Sequence, residues 1–322
     1  MENKIKLDVK DKKILTLLDE NAGYSNSQIA RRVKLSKPTI EYRIKNLLNK
    51  GVIQEFYTII NFTKLGYSKY KVYFRFQNTS VEEEKKIINY WVNANNSVWV
   101  GKIRGSWDLA ISILAKSNFE FGKILNKFMS KYSEFIFKKD ILLTEYSPIY
   151  AREYLTETNP SEFIYGVPSE IYKLDSTEIK ILKELSTNAR INIVDLAQKL
   201  KLSRDVINYR IKKLSKEGII FKYRVFLNLE KIGIGLYKVI LRTKNFDEQS
   251  EDKLKAYAKT HKKITQFLKL IGSWDIELEI ESESEDEFHK ILLDIRKKFS
   301  EIIRDFEVIR VTHTHKYNYF PF

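Results

Sequence analysis

Apolar side chains recur at helical spacing over the first fifty residues, then alternate, and the same succession returns later in the chain. From Asp11 to Asp19 the apolar positions Ile14, Leu15, Leu17 and Leu18 form one stripe of a helix. In SNSQIARRVKL, Ser25 or Ser27 can cap a second helix. Its Ile29, Ala30 and Val33 face inward, while Arg31, Arg32 and Lys34 face out. Ser36 can cap a third helix, with Pro38 in the first turn, where its missing N–H costs nothing, and Ile40, Ile44 and Leu47 inside. Gly51 stops this helix, and VIQEFYTIINF reads as an extended hairpin or wing. Three short helices with a tight break between the second and third form a helix-turn-helix pattern.

The pattern then changes period. KYKVYFRFQ alternates as a strand, and VEEEKKIINYWVNAN is a helix with Ile87, Ile88 and Trp91 inward. SVWVGKIRG and SWDLAISILAK are strands joined at a glycine, NFEFGKILNKFMSKY a second helix and EFIFKKDILLTEY a last strand. The order βαββαβ is ferredoxin-like. Both helices on one face of such a sheet leave the other face bare. Tyr73, Ile111 and Ile113 are expected there, and two such sheets packed face to face would cover them.

All of this occurs twice. Leu7-Asp8 corresponds to Leu174-Asp175, and Tyr42-Arg43 to Tyr209-Arg210, in one register. Gly105-Ser106-Trp107-Asp108 falls on Gly272-Ser273-Trp274-Asp275 in that same register. The fold class is therefore α+β, two copies of a winged helix-turn-helix domain followed by a ferredoxin-like domain. Readers are expected at residues 1–60 and 174–227, sheet domains at 61–150 and 228–322, and a linker with Pro160, Gly166 and Pro168 at 151–173.

Composition narrows the partners. Lys plus Arg number 57 against 42 Asp plus Glu, a net charge of +15, which favours a polyanion. The chain has no cysteine, so disulfides, thiolate zinc sites and cysteine nucleophiles are out, which fits a reducing interior. Its start, MENKIKLDVK, has no apolar stretch of the signal-peptide kind, and no apolar run spans a bilayer, so a cytoplasmic protein is expected. No Gly-rich phosphate loop or catalytic triad order is present, and no cofactor is expected. His313 and His315 alternate on one strand face, but two ligands do not make a metal site. The run ESESEDE reads as a solvated helix N-terminus, and the tail KYNYFPF as an aromatic segment docked on a neighbour or on its own sheet.

The two third helices carry the candidate chemistry. LSKPTIEYRIKNL and LSRDVINYRIKKL share their buried positions and differ on their outward first turns. Base contacts come from the first turns of a recognition helix, and phosphate contacts set its register. Lys37, Thr39 and Glu41 in one copy, and Arg204 and Asn208 in the other, are therefore base-reading candidates. Asn suits adenine and Arg suits guanine. Arg43, Lys45, Arg210 and Lys212 are assigned to phosphates. Ser36 and Ser203 stand at the helix starts, and Tyr42 and Tyr209 can meet either DNA or a neighbouring helix.

These features resemble the Lrp/AsnC, or feast/famine, transcription regulators: a trihelical reader opening with Leu-Asp, a third helix with Tyr-Arg-Ile-Lys, then βαββαβ with Gly-x-aromatic-Asp. The resemblance implies double-stranded DNA as partner and self-association through the ferredoxin-like sheets. It also implies an amino-acid effector near Gly105, Ser106, Trp107 and Asp108 and near Gly272, Ser273, Trp274 and Asp275. Gly, Trp and Asp at these turns equally suit a plain loop: Gly turns, Trp packs and Asp caps. Family members usually carry one reader per chain; here one chain imitates a dimer. Ala22-Gly23-Tyr24 also departs from Ala189-Arg190-Ile191, which bears on the first reader's helix junction. Two rival readings remain. Sirohaem decarboxylases resemble this two-part architecture, although Lys102 and Arg104 are matched by Lys269 and Ile271 and histidine is scarce. The other is an architectural DNA-binding protein with little sequence preference.

Overall fold

The computed structural model describes residues 4–156, 162–167, 169–245 and 247–320. Pro160 and Pro168 of the linker, and Pro321 and Phe322 of the tail, lie outside these residues. The first half runs α1 (Val9–Glu20), α2 (Asn26–Val33), α3 (Lys37–Asn49), β1 (Ile53–Ile60), β2 (Ser68–Phe76), α4 (Val81–Asn93), β3 (Ser97–Arg104), β4 (Leu109–Ala115), α5 (Asn118–Tyr132) and β5 (Ile136–Tyr150). The linker contributes a short strand, β6 (Glu162–Tyr165). The second half repeats the order as α6 (Ser176–Thr187), α7 (Ile193–Leu200), α8 (Arg204–Lys216), β7 (Ile220–Leu227), β8 (Gly235–Thr243), α9 (Glu248–Thr260), β9 (Ile264–Ile271), β10 (Ile276–Ser282), α10 (Glu285–Lys298) and β11 (Ile303–Tyr317).

Caps explain the reader helices. Asp8 and Asp11 form a capping box on α1, Ser25 and Gln28 on α2, and Asp175 and Glu178 on α6. Of the two serines proposed for α2, Ser25 is the cap. The expected wing is not a hairpin. β1 is a single strand that pairs antiparallel with β7, and Tyr57 lies opposite Arg224, the equivalent positions of the two halves. An isolated hairpin is marginal in water; here each strand is covered. Val225 and Leu227 of β7 join the core of the first reader, and Tyr57, Ile59 and Ile60 of β1 join that of the second. The ribbon is thus a shared floor for both readers.

The ferredoxin-like sheets do not stack as two separate layers. β3 pairs with β11 and β5 with β9, so the strands run β2-β4-β3-β11-β8-β10-β9-β5 and close through β2–β5 into one antiparallel barrel. Closure removes four sheet edges at once. The two halves' sheets are thus joined within the chain. The bare faces do turn toward each other, but as the inside of the barrel. Tyr73 points in as expected. Ile111 and Ile113 do not: they pack under α4 and α5, while their neighbour Ala110 faces the barrel core. A strand's period of two settles which set goes where, and the register chose the other set.

Helices cover the outside. Trp91 of α4 packs its ring 4.8 Å from Phe128 of α5, with Ile87 and Ile88 buried beside it. Inside, the barrel holds charge as well as apolar groups. Glu277 of β10 binds Lys71 of β2 through both oxygens, accepts from Lys238 Nζ at 2.9 Å and from the Tyr73 hydroxyl at 2.6 Å. This ion cluster joins the two halves across the barrel. At the end of β5, Arg152 donates to Asp19 of α1 at 2.6 Å and to Glu281 of β10 at 2.9 Å. Among the described linker residues Leu155 and Tyr165 are buried.

Candidate nucleic-acid interface

Both third helices are built the way their sequence implies. Ser36 accepts from the Thr39 N–H and Ser203 from the Val206 N–H, each capping its helix. Ile40, Ile44 and Leu47 bury one face of α3, and Ile207 and Leu214 one face of α8. The opposite faces are open. Lys37, Glu41, Tyr42 and Lys45 are exposed on α3, and Arg204, Asn208, Tyr209 and Lys212 on α8, with Thr39 half-buried. Tyr42 is 71% and Tyr209 64% exposed, so neither packs on a neighbouring helix.

Arg43 and Arg210 are held differently from the lysines beside them. Arg43 donates to Asp8 at 2.8 Å and to Asp11 at 2.7 Å. Arg210 likewise binds Asp175, and reaches Glu178 at 3.2 Å. In each reader the arginine therefore ties the recognition helix to the capping box of the first helix. Hydrogen bonds from the capped backbone and the nearby guanidinium hold Asp8 and Asp175 below the usual carboxylate range. The Asp of the opening Leu-Asp and the Arg of the distant Tyr-Arg are one contact, which explains why those two residues repeat together. Lys37 pairs with Glu41 at 3.5 Å, an exposed i,i+4 pair of small energy that DNA can replace.

The junction that differs between the copies does unexpected work. Arg190 sends its guanidinium into the first reader, donating to the carbonyls of Ala22 at 2.7 Å and Tyr24 at 2.9 Å and to Asn26 Oδ1 at 2.7 Å. Gly23 stands at the equivalent place in the first copy, so one arm reaches across and none returns. Arg190 adds a side-chain tie between the two readers to the one the β1–β7 ribbon makes. The only hint in the sequence was the Gly-to-Arg difference at an otherwise matched junction. The first junction is not loose: Ala22 is fully buried, and Tyr24 stacks 3.8 Å from the Arg32 guanidinium.

The two Gly-Ser-Trp-Asp turns are engaged by the barrel. Trp107 and Trp274 are buried in its core. Asp108 accepts from the Phe76 N–H at 2.7 Å, and Asp275 from the Thr243 N–H at 2.6 Å. Gly105 has φ +131°, and a Cβ there would meet the Val308 carbonyl at 2.8 Å; Gly272, at φ +149°, would meet Leu142 at 2.7 Å. Each turn thus presses against the other half of the barrel. Ser106 and Ser273 remain exposed. His313 and His315 lie ring to ring at 4.4 Å, and burial lowers the His315 pKa to about 4. Among the described residues no group of three or more metal-ligating side chains gathers around them. The acidic run divides: Glu281 is buried on Arg152, while Glu285, Asp286 and Glu287 start α10. The tail docks on its own chain, with Tyr319 and Phe320 in the core under the second reader. Among the described residues no helix is long and apolar enough to cross a membrane.

Comparison with known proteins agrees with this geometry. A winged helix-turn-helix DNA-binding family model matches residues 7–54 and 174–220. An HTH-type transcriptional regulator of Pyrococcus furiosus is 35% identical over 124 residues, covering 38% of this chain and 81% of the relative. The leucine-responsive regulatory protein of Haemophilus influenzae is 40% identical over 67 residues, 21% of this chain and 40% of that one. Over the whole chain the fold is similar to the siroheme decarboxylase NirDL, with a TM-score of 0.63, 12% identity, and 96% of this chain and 93% of the other covered. That likeness is one of fold. Two capped readers on a shared ribbon, each matched by the DNA-binding model and set on a barrel of paired βαββαβ sheets, make this chain a tandem, two-copy member of the Lrp/AsnC family of DNA-binding transcriptional regulators.

Proposed function

We propose that this chain is a sequence-specific regulator that reads an operator of two unlike half-sites, one through α3 and one through α8. The observation that carries the reading is the pairing of matched scaffolds with unmatched exposed turns. Lys37, Thr39 and Glu41 stand where Arg204, Val206 and Asn208 stand in the other reader, above identical Tyr-Arg pairs. A homodimer has identical recognition helices and prefers a palindrome; a fused pair is released from that constraint. Half-sites about one helical turn apart, roughly 34 Å, or a multiple of it, follow from docking two readers in successive major grooves. Selection from a random DNA pool tests this: two different half-sites at fixed spacing are expected, and a perfect palindrome refutes it. Competition at fixed salt separates the reading from an architectural role, since specific regulators exceed their non-specific affinity by roughly 10³ or more.

An amino-acid effector at the Gly-Ser-Trp-Asp turns belongs to the same reading and rests on family membership. Asp108 and Asp275 already accept from backbone N–H groups, so exposed Ser106 and Ser273 and the turn backbone are what an effector would meet. Calorimetric titration against the twenty amino acids tests it, and flat traces for all remove it.

The whole-chain likeness to a siroheme decarboxylase favours a second reading, as an enzyme on a tetrapyrrole. A Soret shift on adding sirohaem would support that reading, and an unchanged spectrum would set it aside.

A further inference from the structure

The barrel and the β1–β7 ribbon enclose two equivalent hollows, one in each half, and the chain fills only one. The filled hollow holds Tyr165 of the linker strand, 1% exposed. Its hydroxyl accepts from Lys69 and from Gln266, each at 2.6 Å, and its ring lies 5.2 Å from Phe62. Tyr165 pairs with Ser147 on β5, and the next residue, Gly166, donates to Thr63 at 3.2 Å.

The equivalents of these five contacts in the other half are Leu236 for Lys69, Trp99 for Gln266, Leu229 for Phe62, Thr314 for Ser147 and Glu230 for Thr63. All five line one cavity of about 90 Å³ between β7, β8, β3 and β11. Where the first half holds a phenol ring, the second holds space. A dry engineered cavity of roughly 150 Å³ takes benzene whole, so this one takes most of one ring and leaves an edge in its mouth. Its walls suit a ring: Trp99, Tyr57, Phe226 and Tyr317 are aromatic. Its polar edge is changed. Lys69 and Gln266, which donate to Tyr165, are replaced by Leu236 and Trp99, and the donor Arg152 on this wall is taken by Glu281; the Glu279 carboxylate, bound by Lys238 through one oxygen, and His313 also line it.

We propose that this open hollow binds a small single-ring aromatic molecule carrying a hydroxyl or ring N–H donor, seated as Tyr165 is seated in the other half, with its donor toward Glu279. Such a molecule touches both the ribbon beneath the readers and the barrel, so its occupancy bears on how the readers are presented. That consequence rests on the DNA-binding reading, but the site itself does not.

Calorimetric titration of the full chain with p-cresol, the side chain of tyrosine, tests the site without DNA. Saturable binding is expected, with anisole, which lacks the donor, at least ten-fold weaker. Leu236→Trp and Thr314→Phe, which fill the hollow from its floor and from its mouth, are each expected to weaken p-cresol at least ten-fold. Far-UV dichroism confirms that each variant is folded, and Thr314→Phe, at a half-buried position, keeps the test open if Leu236→Trp does not fold. No wild-type heat at millimolar p-cresol, or a folded filled variant binding like wild type, overturns the site. Equal binding of anisole overturns the donor requirement. Saturating p-cresol is then expected to shift operator affinity at least three-fold. Unchanged affinity with p-cresol bound removes the coupling alone, whereas failure of the regulator reading shows separately as loss of operator preference.

Discussion

Replacing Glu277 by Gln removes the one carboxylate that Lys71 and Lys238 share inside the barrel. The side chain is 0% exposed, and its two cationic partners, Lys71 and Lys238, are 3% and 1% exposed. Burial by itself would raise the carboxyl pKa, but the charges of Lys238 and Lys71 and their hydrogen bonds outweigh it and hold the group far below the usual range. Glutamine keeps the shape and the Tyr73 contact but leaves Lys71 without its anion, while Lys238 keeps Glu279 alone. Breaking a buried pair from one side costs about 3–5 kcal/mol, and Gln belongs at the lower end because it still accepts a hydrogen bond. At about 2 °C per kcal/mol for a chain of this size, the barrel transition should fall by about 6 °C. Near-UV dichroism of Trp107 and Trp274, both in the barrel core, isolates that transition from melting of the readers. The part of the deficit owed to the Glu277 charge should shrink as pH falls below the usual carboxylate range toward the depressed folded pKa, because a lowered carboxyl stabilises above its unfolded pKa and loses that contribution below it. Burial already holds the Lys71 pKa down to about 7 and Glu277 supports its charge, so the deficit should first grow as pH falls below 7. The triple variant Glu277→Leu, Lys71→Met, Lys238→Met should be more stable than the single one, since apolar groups replace the buried ions, and should fall short of wild type because Glu279 and the Tyr73 hydroxyl lose a partner. A drop under about 2 °C for Glu277→Gln, or a triple variant less stable than the single one, refutes the reasoning.

Three further outcomes follow from single contacts. Burial pushes the Lys69 pKa down to about 7, against the opposing pull of Glu277 and Glu279, and its hydrogen bond goes to a neutral phenol. The unfolded chain therefore binds more protons between pH 7 and about 10.5, so wild-type stability should rise across that window, and Lys69→Met should flatten the rise in urea melts. Lys45→Ala and Lys212→Ala, on the open faces of α3 and α8, should each lower the salt slope of DNA binding by about 1 without changing base preference; unchanged slopes would remove them from the phosphates. Arg190→Ala severs the arm between the readers, so binding to operators with altered half-site spacing should improve relative to the native spacing; an unchanged spacing profile would show that the ribbon alone sets the geometry.

Helices, caps and the twofold repeat were legible in the chain because each rests on residues close in sequence. Ser36 reads as a cap from its own neighbours, and Ile40, Ile44 and Leu47 read as one face from their spacing. The exposed faces of α3 and α8 follow from the same local logic, since an exposed helical turn is whatever the apolar stripe leaves outside. Tertiary structure decided what depends on partners far along the chain. VIQEFYTIINF is one strand and not a hairpin because its hydrogen bonds go to β7, 167 positions away at Tyr57 and Arg224. Ile111 and Ala110 exchange faces because the barrel's register, and not their hydrophobicity, selects the inner set. Arg43 reads as a free phosphate ligand until the fold brings Asp8 and Asp11 to it, and Arg190 reads as surface until the readers meet. Periodicity records which side of an element is apolar, whereas what that side touches, and which charges meet inside it, depends on chain closure over long loops that no local pattern encodes.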